Sequence, residues 1–478
     1  MIFPIRERQM LTFMHHHSFH HLLHHGSGGH GDSVLLTEGN PQRVILTFAF
    51  PIFLSQLFQQ LYNTADAWIV GHYLGDRAFA AVTSSGSLIF LFISFFIGLS
   101  MGAGVVISKY FGAGDRENVS RAVHTNVLMS LIGGMVLAVV GVALTPLILR
   151  LMKTDPNVLP QSIQYFRFFF IGSPALVMYN SLKGVMNAVG DSRRPLYYLI
   201  FSSVLNVFLD WLFVGPCGLD IRWAAIATAI SQAASALLCL RQLSKKGTVY
   251  ALSLKKLRID FAILREILRL GIPSGVQNSV IGFANVLVQT NINTFGDLAM
   301  AACGAYSRIE GFAFLPIMSF SMAITTFISQ NLGAKQYDRT RRGAKFGILT
   351  SVLMAELIGL TIFLFARPMV AAFVSEPASI AIGVLQCRTE SLFFCLLAFS
   401  HCIAAVCRGA GKAFVPMFVM LSVWCVLRVT VITVAMSISH TIILLFLVYP
   451  LTWFISSVIY LIYYKRSDWI HGFEQRAK

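Results

Sequence analysis

From Arg43 onward the chain alternates between long apolar runs and short polar interludes, many of them basic. A run of roughly 20 apolar residues is what an α-helix needs to cross the hydrocarbon core of a bilayer. Twelve such runs are predicted, with limits near 44–71, 79–111, 122–149, 160–187, 195–215, 222–243, 265–295, 299–332, 343–366, 378–407, 414–437 and 440–464.

The pattern also repeats. A shift of 221 residues aligns Gly75-Asp76 with Gly296-Asp297, Ser100-Met101 with Ser321-Met322, and Ile107-Ser108 with Ile328-Ser329. The same shift pairs Gly112-Ala113 with Gly333-Ala334, Asp155-Pro156 with Glu376-Pro377, Arg167 with Arg388, Gly190 with Gly411 and Pro195 with Pro416, without a gap. Each half holds six spans, an even number, so both halves enter the membrane from one side. A pseudo-two-fold along the membrane normal is expected to relate them. The predicted fold is an all-α integral membrane protein of twelve transmembrane helices in two six-helix lobes. The lobes are expected at 43–244 and 265–464, with tails at 1–42 and 465–478 and a polar, lysine-rich linker at 245–264.

Composition agrees. Apolar residues make up 56% and charged residues 12%, about half the soluble norm of roughly 25%, and the mean hydropathy is +0.69. A net charge of +16 would suit nucleic acid, but the basic residues fall in short clusters between spans, as on a cytoplasmic membrane face. With a cytoplasmic N-terminus, 28 of the 37 lysines and arginines lie on that side. The opposite side holds Arg77, Arg150, Lys153, Arg222 and Arg367, and Arg167, Arg308, Arg388 and Arg428 fall within spans. Both termini are therefore expected in the cytoplasm of a multi-pass plasma (inner) membrane protein, with lipid as neighbour and no nucleic-acid partner. Of the 8 cysteines, all but Cys217 lie in apolar segments and none forms a CxxC pair, so they read as small core residues. The tail from His15 to His30 is polar, lacks a signal-peptide stretch, and reads as a flexible extension. Its histidines could bind metal only weakly, without Cys or carboxylate partners at fixed spacing.

Candidate chemistry begins with Asp66, near the far end of the first span. A charged carboxylate at membrane depth costs about 2.5 to 3.5 kcal/mol on insertion scales, so it marks a functional position unless it merely caps a wet helix end. Asn206 and Asp210 are four apart and share one face of the fifth span. Asp66 lies five residues before Gly71, Asp210 five before Gly215, and Thr228 six after Arg222. At 1.5 Å per residue all three lie about 7 to 9 Å below the outer helix ends. Oxygen-bearing side chains at one depth suit a hard cation or a proton. A neutral hydrogen-bond network among Asn206, Asp210 and Thr228 is the structural alternative. Glu310, Glu356 and Glu390 in the second half would make either a second ion site or pairs with Arg308, Arg388 or Arg428. The repeat places Leu287 or Val288 opposite Asp66, Leu427 opposite Asn206 and Val431 opposite Asp210, so the second lobe is expected to lack the polar site at the equivalent positions. Arg408-Gly409-Ala410-Gly411-Lys412 lacks phosphate-loop spacing and reads as a tight turn.

The stretch YNTADAWIVGHYLG, with a proline fifteen residues before its aspartate, resembles the multidrug and toxic compound extrusion (MATE) family, as do the loops AVGDSRRP and YFGAGDRENVSRAV. The resemblance covers the chain from about Arg43 to about Tyr464. It implies a prokaryotic-type efflux transporter whose N-terminal lobe holds a cation site at Asp66, Asn206, Asp210 and Thr228, with Pro51 as the residue that bends the first helix. The function expected is secondary antiport of amphipathic, often cationic, organic compounds against Na⁺ or H⁺, by a monomer with no cofactor. Some of the 39 phenylalanines and 17 methionines would line the cleft, where aromatic faces suit flat cations. A lipid-linked precursor flippase of the same superfamily is the first alternative, against which the twelve spans and the N-lobe carboxylates count. A membrane-embedded transferase is the second, but no DxxxD pair stands in a cytoplasmic loop; Asp115 and Glu117 read as solvated charge. No catalytic constellation, nucleotide loop or metal motif points to an enzyme.

The orientation is open to labelling. A cysteine placed beside Arg341 is expected to resist a membrane-impermeant maleimide in intact cells, and one beside Arg222 to react. Modification of the first in intact cells would reverse the topology.

Overall fold

The computed structural model describes residues 35–151, 156–245 and 247–474. The histidine-rich tail, Lys153, Asp155 and the side chain of Arg77 lie outside the described residues. Twelve helical rods follow one another: α1 (Pro41–Leu74), α2 (Asp76–Gly112), α3 (Arg116–Leu151), α4 (Leu159–Ala188), α5 (Arg193–Val214), α6 (Ile221–Leu243), α7 (Phe261–Asn293), α8 (Asp297–Gly333), α9 (Tyr337–Leu364), α10 (Pro377–Gly409), α11 (Phe414–Ile438) and α12 (Ile442–Arg466). Among the described residues 10 candidate membrane spans are long and apolar enough to cross a bilayer. The remaining two rods, α4 and α7, are as long but more polar, carrying Gln161, Gln164, Arg167 and Lys183 on one and Arg265, Glu266, Arg269 and Gln277 on the other.

The repeat is written into the backbone. Left-handed φ angles recur at the 221-residue spacing: Gly75 (81°) with Gly296 (86°), Gly114 (72°) with Lys335 (57°), and Gly190 (87°) with Gly411 (76°). These are the turns that end one rod and start the next, and only at Lys335 does a side chain tolerate that conformation.

Three features depart from twelve plain spans. A six-residue helix, Ala366–Ala371, links α9 to α10. The rod α10 is interrupted by a tight turn at Ser391–Phe393. No proline or glycine of α10 itself stands at this break. The backbone of α9 approaches so closely at Gly359 that a Cβ there would lie 2.1 Å from the Ser391 carbonyl oxygen, and the Cys395 N–H at the restart donates to Glu356 Oε2 at 3.3 Å. A donor freed inside a membrane must find such an internal acceptor. In α11 the stretch Met420–Leu427 is a π-helix.

Two residues grouped with the basic loops belong inside. Arg408 is buried at the end of α10 and donates to Ser321 Oγ at 3.0 Å and Gln277 Oε1 at 3.4 Å. Lys183 lies within α4, with its ammonium 5.9 Å from the ring of Tyr179. A turn through Ala410 and Gly411 follows Arg408, as the sequence suggests.

The lobes, α1–α6 and α7–α12, meet where α2 crosses α7. Gly98 and Gly102 on α2 face Gly275 and Gly271 on α7, and Cβ atoms at the first two would lie 2.2 and 2.3 Å from the facing backbone nitrogens. Glycines four apart on both helices let two antiparallel backbones touch, the small-residue packing that substitutes for hydrophobic drive in lipid. Toward the basic loops the seam becomes polar: Lys109 Nζ and Tyr110 OH of α2 donate to the two oxygens of Glu266 on α7 at 2.6 and 2.8 Å. Asp260 caps α7, accepting from the backbone N–H groups of Ala262 and Ile263 at 3.1 Å, and pairs with Arg121 of α3. The bond from Ile263, then the guanidinium, hold its carboxyl below the usual carboxylate range. The pseudo-symmetric contact, α1 with α8, is apolar and joins Ile45, Phe48 and Ile52 to Phe320, Ile324 and Phe327.

The glycine seam generates a stability prediction. Gly98→Ala or Gly102→Ala drives a methyl into backbone that cannot yield locally, an overpacking cost of about 1–3 kcal/mol. Gly104→Ala meets nothing closer than 3.8 Å and serves as control. Thermal denaturation of the solubilised protein should show the first two variants melting lower and the control near wild type. Equal melting of all three would mean that the seam does not hold the lobes together.

Candidate functional site

Three helices of the N-terminal lobe each present two polar side chains four residues apart: Tyr62 and Asp66 on α1, Asn206 and Asp210 on α5, Thr228 and Gln232 on α6. That spacing puts each pair on one helical face. The helices are set by their ends and their small residues. Asn40 Oδ1 accepts from Gln42 N at 2.9 Å at the start of α1, and Asp220 caps α6 through Arg222 N at 3.1 Å. Buried Ala224, Ala225 and Ala227 let α6 lie close to its neighbours, and a Cβ on Gly172 of α4 would lie 2.5 Å from that of Ala229.

The structure brings the four sequence-predicted residues together. Asp210, fully buried, lies beside Asp66 and Asn206. Asn206 Nδ2 donates to Thr228 Oγ1 at 3.4 Å, and Thr228 Oγ1 donates to the Ala224 carbonyl at 3.1 Å. Gln232 Nε2 donates to Tyr62 OH at 3.4 Å, and Tyr62 stands close to both carboxyls. Tyr165 of α4 closes the group from the lobe interior. Tyr62, Gln232 and Tyr165 are additions to the sequence reading. The i, i+4 rule that picked out Asp210 from Asn206 would have reached Tyr62 from Asp66 and Gln232 from Thr228, whereas Tyr165 gives no local signal.

The expected depth needs correction for α1. This helix runs on to Leu74, so Asp66 lies about 12 Å from its end, against about 6 Å for Asp210 and about 10 Å for Thr228. Asp66 is therefore not an end cap. Pro51 sits buried inside α1, fifteen residues earlier, and has no N–H to offer the Thr47 carbonyl.

The cluster carries a surplus of acceptors. No donor among the described residues reaches Asp66 Oδ1, Asp210 Oδ1 and Oδ2, Asn206 Oδ1 or Gln232 Oε1, all of them buried atoms. Two neighbouring carboxyls without a donor must share a proton or a cation, because two bare charges in a dry site repel. An all-oxygen set of this kind fits a hard monovalent ion or a proton.

In the C-terminal lobe the three glutamates separate. Glu390 accepts from Tyr306 OH at 3.0 Å and from Gln386 Nε2 at 2.9 Å, and lies near Glu310 and Arg428. Glu356 instead serves the α10 break. Arg428 donates to Thr452 Oγ1 at 2.9 Å and lies 4.5 Å from the ring centre of Tyr449. Arg388 stacks over Phe363 at 5.7 Å, and Arg308 is exposed. The positions named by the repeat, Leu287, Val288, Leu427 and Val431, are apolar as expected. The lobe's polar cluster of Tyr306, Glu310, Gln386, Glu390 and Arg428 stands at other positions. One further residue of register, 222 in place of 221, sets Arg428 opposite Asn206, and each reaches a threonine of the following rod.

A protein-family model, MatE, matches residues 51–212 and again residues 273–434. The probable multidrug resistance protein YoeA of Bacillus subtilis is 30% identical over 392 residues, covering 80% of this chain and 84% of that protein. The probable multidrug resistance protein NorM of Thermotoga maritima is 27% identical over 398 residues, covering 80% and 83%. A solved structure, a multidrug resistance MATE family transporter in an outward-facing conformation, superposes with a TM-score of 0.86 at 22% identity, over 92% of this chain and 98% of that one.

The acceptor surplus predicts an unusual stability pattern. Asp66→Asn supplies an N–H beside the unpartnered Asp210 oxygens and relieves like-charge crowding, so the melting temperature should hold or rise. Asn206→Leu removes the donor to Thr228 and should cost about 1–3 kcal/mol. A larger loss for Asp66→Asn than for Asn206→Leu in thermal denaturation would make Asp66 a structural partner.

Proposed function

Since the chain belongs to the MatE family, a family of multidrug efflux transporters, we propose that it exports amphipathic, often cationic, organic compounds in antiport with Na⁺ or H⁺. The observation that carries this reading is the carboxyl pair of half-buried Asp66 and buried Asp210, drawn from two helices, with Asp66 Oδ1 and both Asp210 oxygens left without a donor among the described residues. Asp66 and Asp210 hold the coupling ion, Asn206 and Thr228 complete its oxygen shell, and Tyr62 and Gln232 fix the α1 and α6 faces around it. The ion is cargo, and the chain supplies only oxygen ligands and their placement.

Coupling requires that the ion bind the two states of the transporter unequally. In our reading the N-terminal lobe, 43–244, changes its packing about Pro51 when the carboxyl pair gains or loses its ion. The lobe contacts at the end of the basic loops then belong to the state open to the outside, with both termini in the cytoplasm. The membrane potential adds about 2.3 kcal/mol per charge per 100 mV, so the ion gradient must supply the rest.

Efflux of an ethidium-type dye from proteoliposomes, with Na⁺ and pH gradients imposed separately, tests the reading and identifies the ion. Asp66→Asn and Asp210→Asn should each reduce gradient-driven efflux at least about tenfold, a loss of about 1.4 kcal/mol of coupling or more. The double variant should be little worse than either. Glu310→Gln, Glu356→Gln and Glu390→Gln should retain most of it. Full efflux by Asp66→Asn, or its loss only in the glutamate variants, would overturn the assignment.

A further inference from the structure

On the outer surface of the C-terminal lobe, at the basic end of α7, lies a groove of about 620 Å³. Phe261, Leu264, Arg265, Leu268, Arg269 and Ile272 line it, and they recur every three or four residues, a single face of α7. Phe414 at the start of α11 forms the other wall.

Its charge is unbalanced. Arg265 and Arg269 stand one turn apart and both are exposed, with no hydrogen bond or ion pair to another described residue. No acidic residue lines the groove. The acid between them, Glu266, is engaged on the other face of α7 by Lys109 and Tyr110, and Asp260 at the helix start is engaged by Arg121. The positive end of the α7 dipole adds to the same field.

We propose that this groove binds one anionic diacyl phospholipid of the leaflet on the basic side, with its phosphate between Arg265 and Arg269 and an acyl chain along Leu264, Leu268 and Ile272. Basic pockets beside membrane helices hold anionic headgroups in this way. The sign of the site disfavours a cationic cargo. It also disfavours a second copy of the chain, which would set four guanidinium groups against one another.

Native mass spectrometry of the full chain in detergent, titrated with phosphatidylglycerol or with phosphatidylcholine, tests this. One phosphatidylglycerol should be retained and phosphatidylcholine should not. Arg265→Gln with Arg269→Gln should weaken retention about tenfold or more, whereas Arg341→Gln with Arg342→Gln, in a basic loop, should leave it unchanged. Ile272→Trp fills the groove but keeps both charges, and should also lose the lipid; it reads the site even if the glutamine pair fails to fold. Inorganic phosphate should not compete. Retention unchanged by the glutamine pair or by Ile272→Trp, equal retention of both lipids, or a dimer that persists without anionic lipid would each overturn the proposal.

Discussion

Two bundles of helices in a bilayer gain nothing from burying apolar surface against each other, since lipid is as apolar as they are. What joins the lobes must be close contact, and α2 supplies it twice: it crosses α7 at the four glycines and meets α8 at Gly112 and Gly333. The four at the α7 crossing bring backbone against backbone, and the Lys109, Tyr110 and Glu266 cluster finishes the seam where water is near. A joint of this kind is also separable, because it contains few side chains that must repack when it opens.

The N-terminal lobe has the opposite character. Its core is tightly closed around Val70, Phe166, Phe170 and Val214, yet beside that core it keeps five buried oxygens without a donor. Protein interiors seldom tolerate such a surplus, and each unmet acceptor costs about 1–3 kcal/mol. The packed surroundings hold these acceptors apart from alternative partners, which is the arrangement that the proposed coupling site requires.

Much of this was legible in the sequence. Hydropathy and the 221-residue repeat gave the rods, their pairing and the lobes, because length and apolarity alone decide what can span a membrane. Asp66 and Asp210 stood out because charge at membrane depth is expensive. Tyr165 did not, since it reaches the cluster through the packing of α4, and nothing near it in the chain differs from an ordinary core tyrosine. The break after Glu390 was equally silent: its cause is Gly359, on another helix. Arg408 misled for the same reason, its two acceptors lying on α7 and α8.

The π-helical stretch of α11 explains how two copies of one bundle came to differ. A π turn takes up an extra residue, and each residue of an α-helix advances about 100° around the axis. Beyond Leu427 the face of α11 is therefore rotated relative to α5, and Arg428 arrives where the other lobe has Asn206. The C-terminal cluster has a positive charge of its own, beside Glu310 and Glu390. In the C-terminal lobe a guanidinium stands beside the carboxyls, where the N-terminal lobe sets only an amide beside its own.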